Sequence, residues 1–503
     1  MSIRRQSIIS SGIVYAGFAI GLLNTYLFTR EGGFTPSEYG LTGAFLAIAN
    51  IMFSFASLGM PAFIYKFYPY YTDNLEPNEN DMMTLALFTS LVGFALVMLS
   101  GFFFKNLVIR KFGGNSADLV KYYYWVFPFG FGLTLYSLLE AYAWQLKKSV
   151  LTNYLREIQW RFYTTVLIIL TILGTIKRFD LFIKLYALGY LLLAGALLTY
   201  LVASGKFHLR FKLSRVTKKF SKKISSLAAL VWSGSLIFNI ANFFDIIVIA
   251  AVLPNGLALV GIFTLAQSVA AIIQAPQRAI ISATMAPLSR AWKDKDFGKL
   301  KQIYIRSAIN QLLFAAGMFA LILMNFNDAV ISFHLQRKFL EVGYVFFFLG
   351  LMRVIDMGTG LNAQIIATSV HWRFEFFSGL VLLAFSLPLN YILAKKMGVV
   401  GPAIATLAAM VIYNAIRYAF LFRKFGMQPF TAKTIFTILL AVAGFLICHL
   451  LLSQFNGFGW IVLRSLLFLA IYIPGILWLR LTPDLVPVLT TIKKRLGLGK
   501  PKA

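Results

Sequence analysis

Four polar side chains share one face of an apolar stretch near the middle of the sequence. They are spaced four, three and three residues apart, which places them along one side of an α-helix: Ser235, Asn239, Asn242 and Asp245. A charged side chain costs about 2.5 to 3.5 kcal/mol at the centre of a bilayer, so Asp245 needs a partner or water. The face is therefore interpreted as a cavity wall or as a cation site that uses Asp245. Hydrogen bonding between neighbouring helices is the alternative.

Two cationic side chains end apolar stretches in a similar way. Arg278 follows Gln274 by one helical turn, and Lys66 ends an earlier stretch that also carries Asn50. Lysine and arginine donate charge-assisted hydrogen bonds to phosphate oxygens, so both cations are predicted to contact a phosphate group of a ligand. The alternative is that both only follow the general excess of Lys and Arg on the cytoplasmic side of membrane proteins.

A pair of opposite charges lies inside a later apolar stretch. Arg353 and Asp356 are three residues apart, which is close enough for an ion pair on one helix, and Gly358 and Gly360 follow at once. The pair is interpreted as an ion-coupling or gating element beside a hinge, or as a structural pair that neutralises itself. Glu140 and Glu375 lie nearer the ends of their stretches and are interpreted as structural.

The elements that carry these residues are membrane-spanning helices. Hydrophobic residues make up 59% of the 503 residues and charged residues 13%, and the mean hydropathy is +0.76. Stretches of roughly 20 apolar residues, the length of a transmembrane helix, recur along the chain. The sequence therefore predicts an all-α polytopic membrane protein of about fourteen spans. The predicted spans are 8–28, 41–65, 83–104, 122–144, 162–176, 181–203, 227–253, 258–275, 308–324, 342–368, 374–394, 402–422, 435–452 and 460–479.

The net charge of +29 arises from 47 Lys and Arg against 18 Asp and Glu. The cations concentrate in alternate loops, which favours a protein whose two termini are cytoplasmic. The densest basic segment, 206–223, is predicted to contact anionic lipid headgroups, with a specific docking role as the alternative. The charge is therefore assigned to the membrane, and no nucleic-acid partner is expected.

The order of the spans predicts two six-helix repeats with pseudo-symmetry. The segments 37–40 and 259–261 open the second and eighth spans in a similar way, and each of these spans ends at a proline and a cation. The predicted divisions are an N-terminal lobe (1–203), a basic linker (204–224), a C-terminal lobe (225–424), two further helices (425–480) and a basic cytoplasmic tail (481–503).

Catalytic motifs are not found in the sequence. It has no glycine-rich phosphate loop followed by Lys-Ser or Lys-Thr, so ATP hydrolysis is not expected. The four histidines are scattered, and Cys448 is the one cysteine, so no metal site is predicted. We therefore expect a transporter without a cofactor, driven by a Na⁺ or H⁺ gradient or by the substrate.

The sequence resembles the multidrug/oligosaccharidyl-lipid/polysaccharide (MOP) exporter superfamily, and within it the bacterial polysaccharide-biosynthesis flippases. The resemblance covers nearly the whole chain and depends on short motifs in a fixed order. These are a basic start that leads into a glycine-rich first span, SEYG at 37–40, VGIF at 260–263, APLSR at 286–290 and GVVGPA at 398–403.

The resemblance implies a MATE-like pair of lobes that work by alternating access in the bacterial inner membrane. The implied substrate is an undecaprenyl-pyrophosphate-linked oligosaccharide, moved to the outer leaflet for O-antigen, capsule or exopolysaccharide synthesis. Lys66 and Arg278 are the implied diphosphate contacts, and Asp245 matches a cation site of some relatives. A polysaccharide polymerase and glycosyltransferases are the implied protein partners.

Three alternatives stay open. A lipid II flippase is disfavoured because the first span has no arginine within the membrane, only Asn24 and then Arg30 at its outer end. A cation-coupled multidrug antiporter of the same fold would use Asp245. A polyprenyl-linked polymerase or ligase would need a large extramembrane loop, and the predicted outer loops are short.

Overall fold

The computed structural model describes residues 3–371 and 373–482. Within that range the side chains at 3–8, 10, 11, 279, 282 and 286 lie outside the description, as does the predicted basic tail from residue 483 onwards. The described residues form helices and no β-strand.

Contacts divide the chain into two compact units, Met1–Thr264 and Leu265–Ala503. The helices that begin in the first unit are α1 (Ile3–Thr29), α2 (Pro36–Ala56), α3 (Met60–Asn74), α4 (Met82–Phe103), α5 (Lys105–Phe112), α6 (Ala117–Lys121), α7 (Val126–Gln145), α8 (Ser149–Asn153), α9 (Trp160–Ile172), α10 (Phe179–Ala203), α11 (Arg215–Val252) and α12 (Gly256–Lys293).

The second unit begins within α12. Its further helices are α13 (Phe297–Ser332), α14 (Val342–Gly358), α15 (Asn362–Thr368), α16 (Arg373–Met397), α17 (Val400–Phe425), α18 (Ala432–Leu452) and α19 (Phe458–Trp478). The predicted lobes are defined by a repeat of six spans, whereas these two units are defined by contacts. The lobe boundaries therefore stay a prediction.

The helices confirm an all-α membrane protein. Among the described residues, eleven helices are long and apolar enough to cross a membrane. The three other predicted spans overlap α7, α9, and α14 together with α15. A polytopic protein of about fourteen spans is therefore the observed architecture.

Capping residues explain where two of the long helices begin. At α2, the Thr35 hydroxyl accepts the Glu38 backbone N–H at 3.2 Å, and the Glu38 carboxylate accepts the Thr35 backbone N–H at 2.8 Å. This reciprocal capping box gives the SEYG motif a local physical role. At α11, Ser214 caps the helix through the Thr217 backbone N–H, and the buried Asp81 accepts the Ser214 backbone N–H at 2.9 Å.

The two segments that resemble each other in sequence meet in the first unit. A Cβ atom on Gly40 would clash with the Leu257 carbonyl, and one on Gly261 would clash with the Pro36 carbonyl. Only glycine therefore allows α2 and the first turns of α12 to approach so closely. This mutual contact of corresponding positions supports the predicted pseudo-symmetry of the second and eighth spans.

Two spans are broken in the middle. The second span is interrupted at 57–59, between α2 and α3, and the tenth is interrupted at 359–361, between α14 and α15. Gly59 and Gly360 have φ angles of 74° and 68°, a left-handed conformation that costs little only for glycine. The second break lies directly after the Arg353 and Asp356 segment, where the sequence predicted a hinge.

The fifth span begins earlier than predicted and contains a π-helical segment. Residues Tyr154–Gln159 form this segment between α8 and α9. Arg156 falls between the predicted fourth and fifth spans, 122–144 and 162–176, but lies within the helical span in the structure. Such widened turns are rare and occur often at functional sites.

A buried ion pair joins the ninth and fourteenth spans. Arg464 on α19 donates to the Asp328 carboxylate on α13 and, at 3.0 Å, to the Met324 carbonyl. Asp328 falls between the predicted ninth and tenth spans, 308–324 and 342–368, but α13 continues to Ser332 and includes it. Separating α19 from α13 would leave each buried charge without its partner, which is costly. The pair therefore holds α19 against α13.

Candidate functional site

The polar face of α11 lies within the first unit and satisfies its amide donors locally. The Asn239 amide donates to the backbone carbonyl and hydroxyl of Ser235, at 3.0 and 3.2 Å. The Asn242 amide donates to the carbonyl four residues earlier, at 2.8 Å. Asp245 is buried, and its carboxylate accepts the backbone N–H of Ile246 at 3.2 Å. The side-chain amides of the two asparagines therefore donate to groups within α11. These hydrogen bonds do not join α11 to another helix.

Asn50 and Lys66 lie on the two halves of the broken second span. The Asn50 amide also returns to its own helix, where it donates to the Leu46 carbonyl at 2.7 Å. Lys66 is exposed on α3. A lysine on a membrane-spanning helix must reach water or an anion, because a bare ammonium group is costly in hydrocarbon.

The break in the second span is sealed by packing. The Trp232 indole N–H on α11 donates to the Ser54 carbonyl at 2.9 Å, just before the break. A Cβ atom on Gly59 would clash with the Ala228 carbonyl, so α11 lies directly against this break. One indole and close backbone contact thus take the place of missing helical hydrogen bonds.

The break in the tenth span is lined by polar side chains of the second unit. Asp356 accepts from the Gln277 amide at 3.4 Å and from the Asn414 amide at 3.1 Å. The Gln277 side-chain oxygen in turn accepts from the Gln274 amide at 2.7 Å. The structure thereby joins two predicted site residues, Gln274 and Asp356, through Gln277, which the sequence analysis did not single out.

The same network continues across the break. The Asn414 side-chain oxygen accepts from the Thr359 hydroxyl at 3.1 Å and from the Asn362 amide at 2.8 Å. Asn362 and Asn414 are almost fully buried. One carboxylate and several amide and hydroxyl groups therefore converge on an interrupted helix.

Two predicted site residues of the second unit lie beside this network along their helices. Arg278 follows Gln277 on α12 and is exposed, and Arg353 precedes Asp356 by three residues on α14. The ion pair between Arg353 and Asp356 stays a prediction.

Several charged contacts were missed by sequence reasoning. Arg156 donates to the buried Glu140 carboxylate at 3.2 Å. Glu375 accepts from Arg417, at 3.1 Å through Nε, and from the Tyr413 hydroxyl at 3.1 Å. The partners of each pair are 16 and 42 residues apart, so helical spacing could not reveal either pair. The apolar character of each stretch gave the only signal, since a charge within it needs a partner.

No protein-family profile matches the sequence, and no curated protein matches it. Solved structures do match the fold. A structure of the lipid II flippase MurJ in an inward closed conformation gives a TM-score of 0.73 at 16% identity, over 95% of this chain and 100% of that chain.

Two multidrug resistance MATE transporters of the MOP superfamily also match. The inward-facing one gives a TM-score of 0.60 at 14% identity, over 83% of this chain and 98% of that chain. The outward-facing one gives 0.53 at 14% identity, over 84% and 95%. The chain has the MOP exporter fold. The predicted MATE-like fold is therefore confirmed.

The chain is a multi-pass membrane protein. Its structural neighbours are a flippase and transporters. Its broken tenth span, polar α11 face and exposed cations are features of this chain within that fold.

Proposed function

We propose that this protein is a flippase for lipid-linked saccharides. It moves undecaprenyl-pyrophosphate-linked oligosaccharide from the cytoplasmic to the outer leaflet by alternating access, and supplies O-antigen, capsule or exopolysaccharide synthesis. It acts as a transporter and not as an enzyme, in the bacterial inner membrane with both termini cytoplasmic.

The observation that carries this proposal is the extent of the match to a flippase. The lipid II flippase covers 95% of the chain, whereas the two multidrug transporters cover 83% and 84%. The C-terminal helices α18 and α19 follow the two predicted six-span repeats, and the buried pair of Arg464 and Asp328 joins α19 to α13. A fold that includes such an addition favours the flippase over the multidrug antiporter.

Two kinds of residue are assigned to substrate binding: exposed cationic side chains and polar side chains on helix faces. Lys66 and Arg278 bind the diphosphate, because both are exposed and both donate charge-assisted hydrogen bonds. Asn50, Asn239, Asn242 and Gln274 are the further residues assigned to substrate binding, through their amide groups. Asp245, Arg353 and Asp356 couple transport to Na⁺ or H⁺, or gate it, and the network at the tenth-span break supports Asp356 most strongly.

Lipid II is the second candidate substrate, and one observation favours it. The first span lacks an intramembrane arginine, but the fifth span places one beside it. The Arg161 guanidinium lies against Gly17 and Gly21, and the Asn24 amide donates to the Arg161 carbonyl at 2.8 Å. A cation that pairs with Glu157 at 2.8 Å therefore reaches the first span from a neighbouring helix.

The test is transport by purified protein in proteoliposomes. We expect inward-to-outward movement of a polyprenyl-diphosphate oligosaccharide, and a loss of at least about tenfold when Lys66→Ala and Arg278→Ala are combined. Arg290→Ala is the matched control, since Arg290 is exposed and pairs locally with Asp294.

Undiminished transport by the double variant would reject the assigned diphosphate contacts. Efflux of cationic drugs from a pump-deficient host, without glycolipid movement, would instead select the multidrug antiporter. Parallel assays with lipid II and with an O-antigen precursor separate the two saccharide substrates.

A further inference from the structure

A stacked aromatic pair lies beside an exposed arginine in the first unit. The rings of Tyr65 on α3 and Trp144 on α7 are 5.9 Å apart with an interplanar angle of 21°. Each side chain is about two-fifths exposed, at 41% and 43%. Glu140 precedes Trp144 by four residues on α7, which places both on one helical face, and the Glu140 carboxylate accepts from Arg156 at 3.2 Å.

Arg156 is held in place by a buried carboxylate, that of Glu140. The Arg156 side chain is 53% exposed, whereas its partner Glu140 is 7% exposed. Their bond uses the Nη1 atom alone, at 3.2 Å, and a guanidinium group carries five N–H donors. The buried carboxylate therefore orients Arg156, and the exposed part of the guanidinium group keeps donors for a ligand.

The π-helical segment and its neighbours fix the aromatic ring as well. The Trp144 indole N–H donates to the Thr152 hydroxyl at 2.8 Å, and the Tyr136 hydroxyl donates to the Thr152 carbonyl at 2.7 Å. Thr152 lies on α8, just before the π-helical segment that carries Arg156. The same short region of the fifth span thus positions both the ring and the cation.

This surface faces water or a ligand rather than lipid. A half-exposed guanidinium group is costly in hydrocarbon, so the rings beside it share its aqueous surroundings. Exposed, rigid aromatic rings next to an arginine combine an apolar face with phosphate-binding donors. A pyranose ring offers an apolar C–H face, and its diphosphate offers the acceptors.

We propose that Tyr65, Trp144 and Arg156 form a platform that binds the first sugar of the substrate together with its adjoining phosphate. The proposal rests on the proposed flippase function and deepens it, since it assigns the sugar-reading residues. Tyr65 and Trp144 stack on the sugar, Arg156 binds the phosphate, and Glu140 is a positioning residue for Arg156.

The experiment measures binding of two probes to the full chain in nanodiscs. One probe is farnesyl diphosphate linked to a short oligosaccharide, and the other is farnesyl diphosphate without sugar. We expect Trp144→Leu to weaken the sugar-bearing probe about tenfold and to leave the sugar-free probe unchanged. Trp144→Phe keeps an aromatic ring and should retain most of the affinity, which guards against a folding defect.

Arg156→Gln should weaken both probes, because the phosphate is common to them. Trp478→Leu and Arg290→Gln are the matched controls: Trp478 is 84% exposed at the end of α19, and Arg290 is exposed on α12. Both controls should bind like the unchanged protein.

Equal weakening of both probes by Trp144→Leu would overturn the sugar assignment and identify Trp144 as an interfacial anchor. Unchanged binding of both probes in Trp144→Leu and Arg156→Gln would overturn the platform altogether. Displacement of the sugar-bearing probe by uridine monophosphate would also contradict it, because a nucleotide would then be the better ligand. Failure of the unchanged protein to move any polyprenyl-diphosphate saccharide would instead refute the flippase function itself.

Discussion

The two broken spans solve the same backbone problem in different ways. At 57–59 the chain is sealed by close packing against α11 and by one indole donor from Trp232. At 359–361 the chain is lined by Asp356, Asn362 and Asn414, which exchange hydrogen bonds across the break. Both breaks contain a glycine in the left-handed conformation, at Gly59 and Gly360.

The different surroundings of the two breaks suggest different functions for them. A break sealed by backbone contacts has one low-energy arrangement, since a packed interior is not continuously deformable. A break lined by a carboxylate and amides can exchange partners when an ion or proton arrives. We therefore propose that the second span is a fixed bend that presents Lys66 and that the tenth span is the coupling element.

Gly59→Ala should have the largest effect on stability. An added Cβ atom would clash with the Ala228 carbonyl, and alanine is strained at a φ of 74°. We expect a loss of about 2–4 kcal/mol, measured by thermal unfolding in detergent micelles. Gly12→Ala is the control, because a Cβ atom at Gly12 meets open space. A melting temperature equal to that of the control would show that this break is not rigidly packed.

Trp232→Phe should have an intermediate effect. It keeps the ring but removes the N–H that donates to the Ser54 carbonyl beside the break. An unsatisfied buried carbonyl costs about 1–2 kcal/mol, and the same unfolding measurement detects it. Trp478→Phe at the exposed end of α19 serves as the control. If both variants unfold alike, the indole bond does not stabilise the bend.

Asn242→Ala should have the smallest effect on stability. Its amide donates only within α11 in the bonds described, and its side chain is exposed. We expect a change below about 0.5 kcal/mol, together with slower transport in proteoliposomes. A large loss of stability would instead show that the polar face of α11 joins helices, as the packing alternative holds.

The sequence predicted the number and order of the spans well, because hydropathy reports directly on the bilayer. It also predicted a hinge near Gly358 and Gly360, where the structure has the tenth-span break, and the hinge itself stays a prediction. It placed Asp356 beside Arg353, but its partners in the structure include Gln277 and Asn414. These contacts join residues 79 and 58 positions apart, and helical periodicity relates only neighbours within one helix.

The position of Arg156 shows the same limit. A π-helical segment extends the fifth span toward the N-terminus, and its polar residues resemble a loop when hydropathy alone is considered. The partner that makes such a position tolerable, Glu140, lies on α7 and becomes visible only in the fold. Pairs of residues on different helices are therefore found only in the structure, whereas the spans themselves can be predicted from the sequence.

The most direct test is transbilayer movement of a polyprenyl-diphosphate oligosaccharide in proteoliposomes, with and without an imposed Na⁺ or H⁺ gradient. We expect the unchanged protein to move the substrate and to respond to one of the gradients. Asp356→Asn keeps the size of the side chain but removes its charge and one of the two oxygens that accept from Gln277 and Asn414, and it should abolish that response. Asp180→Asn, at the exposed start of α10, should not. An unchanged protein that moves no glycolipid, or an Asp356→Asn variant with the full gradient response, would contradict the account.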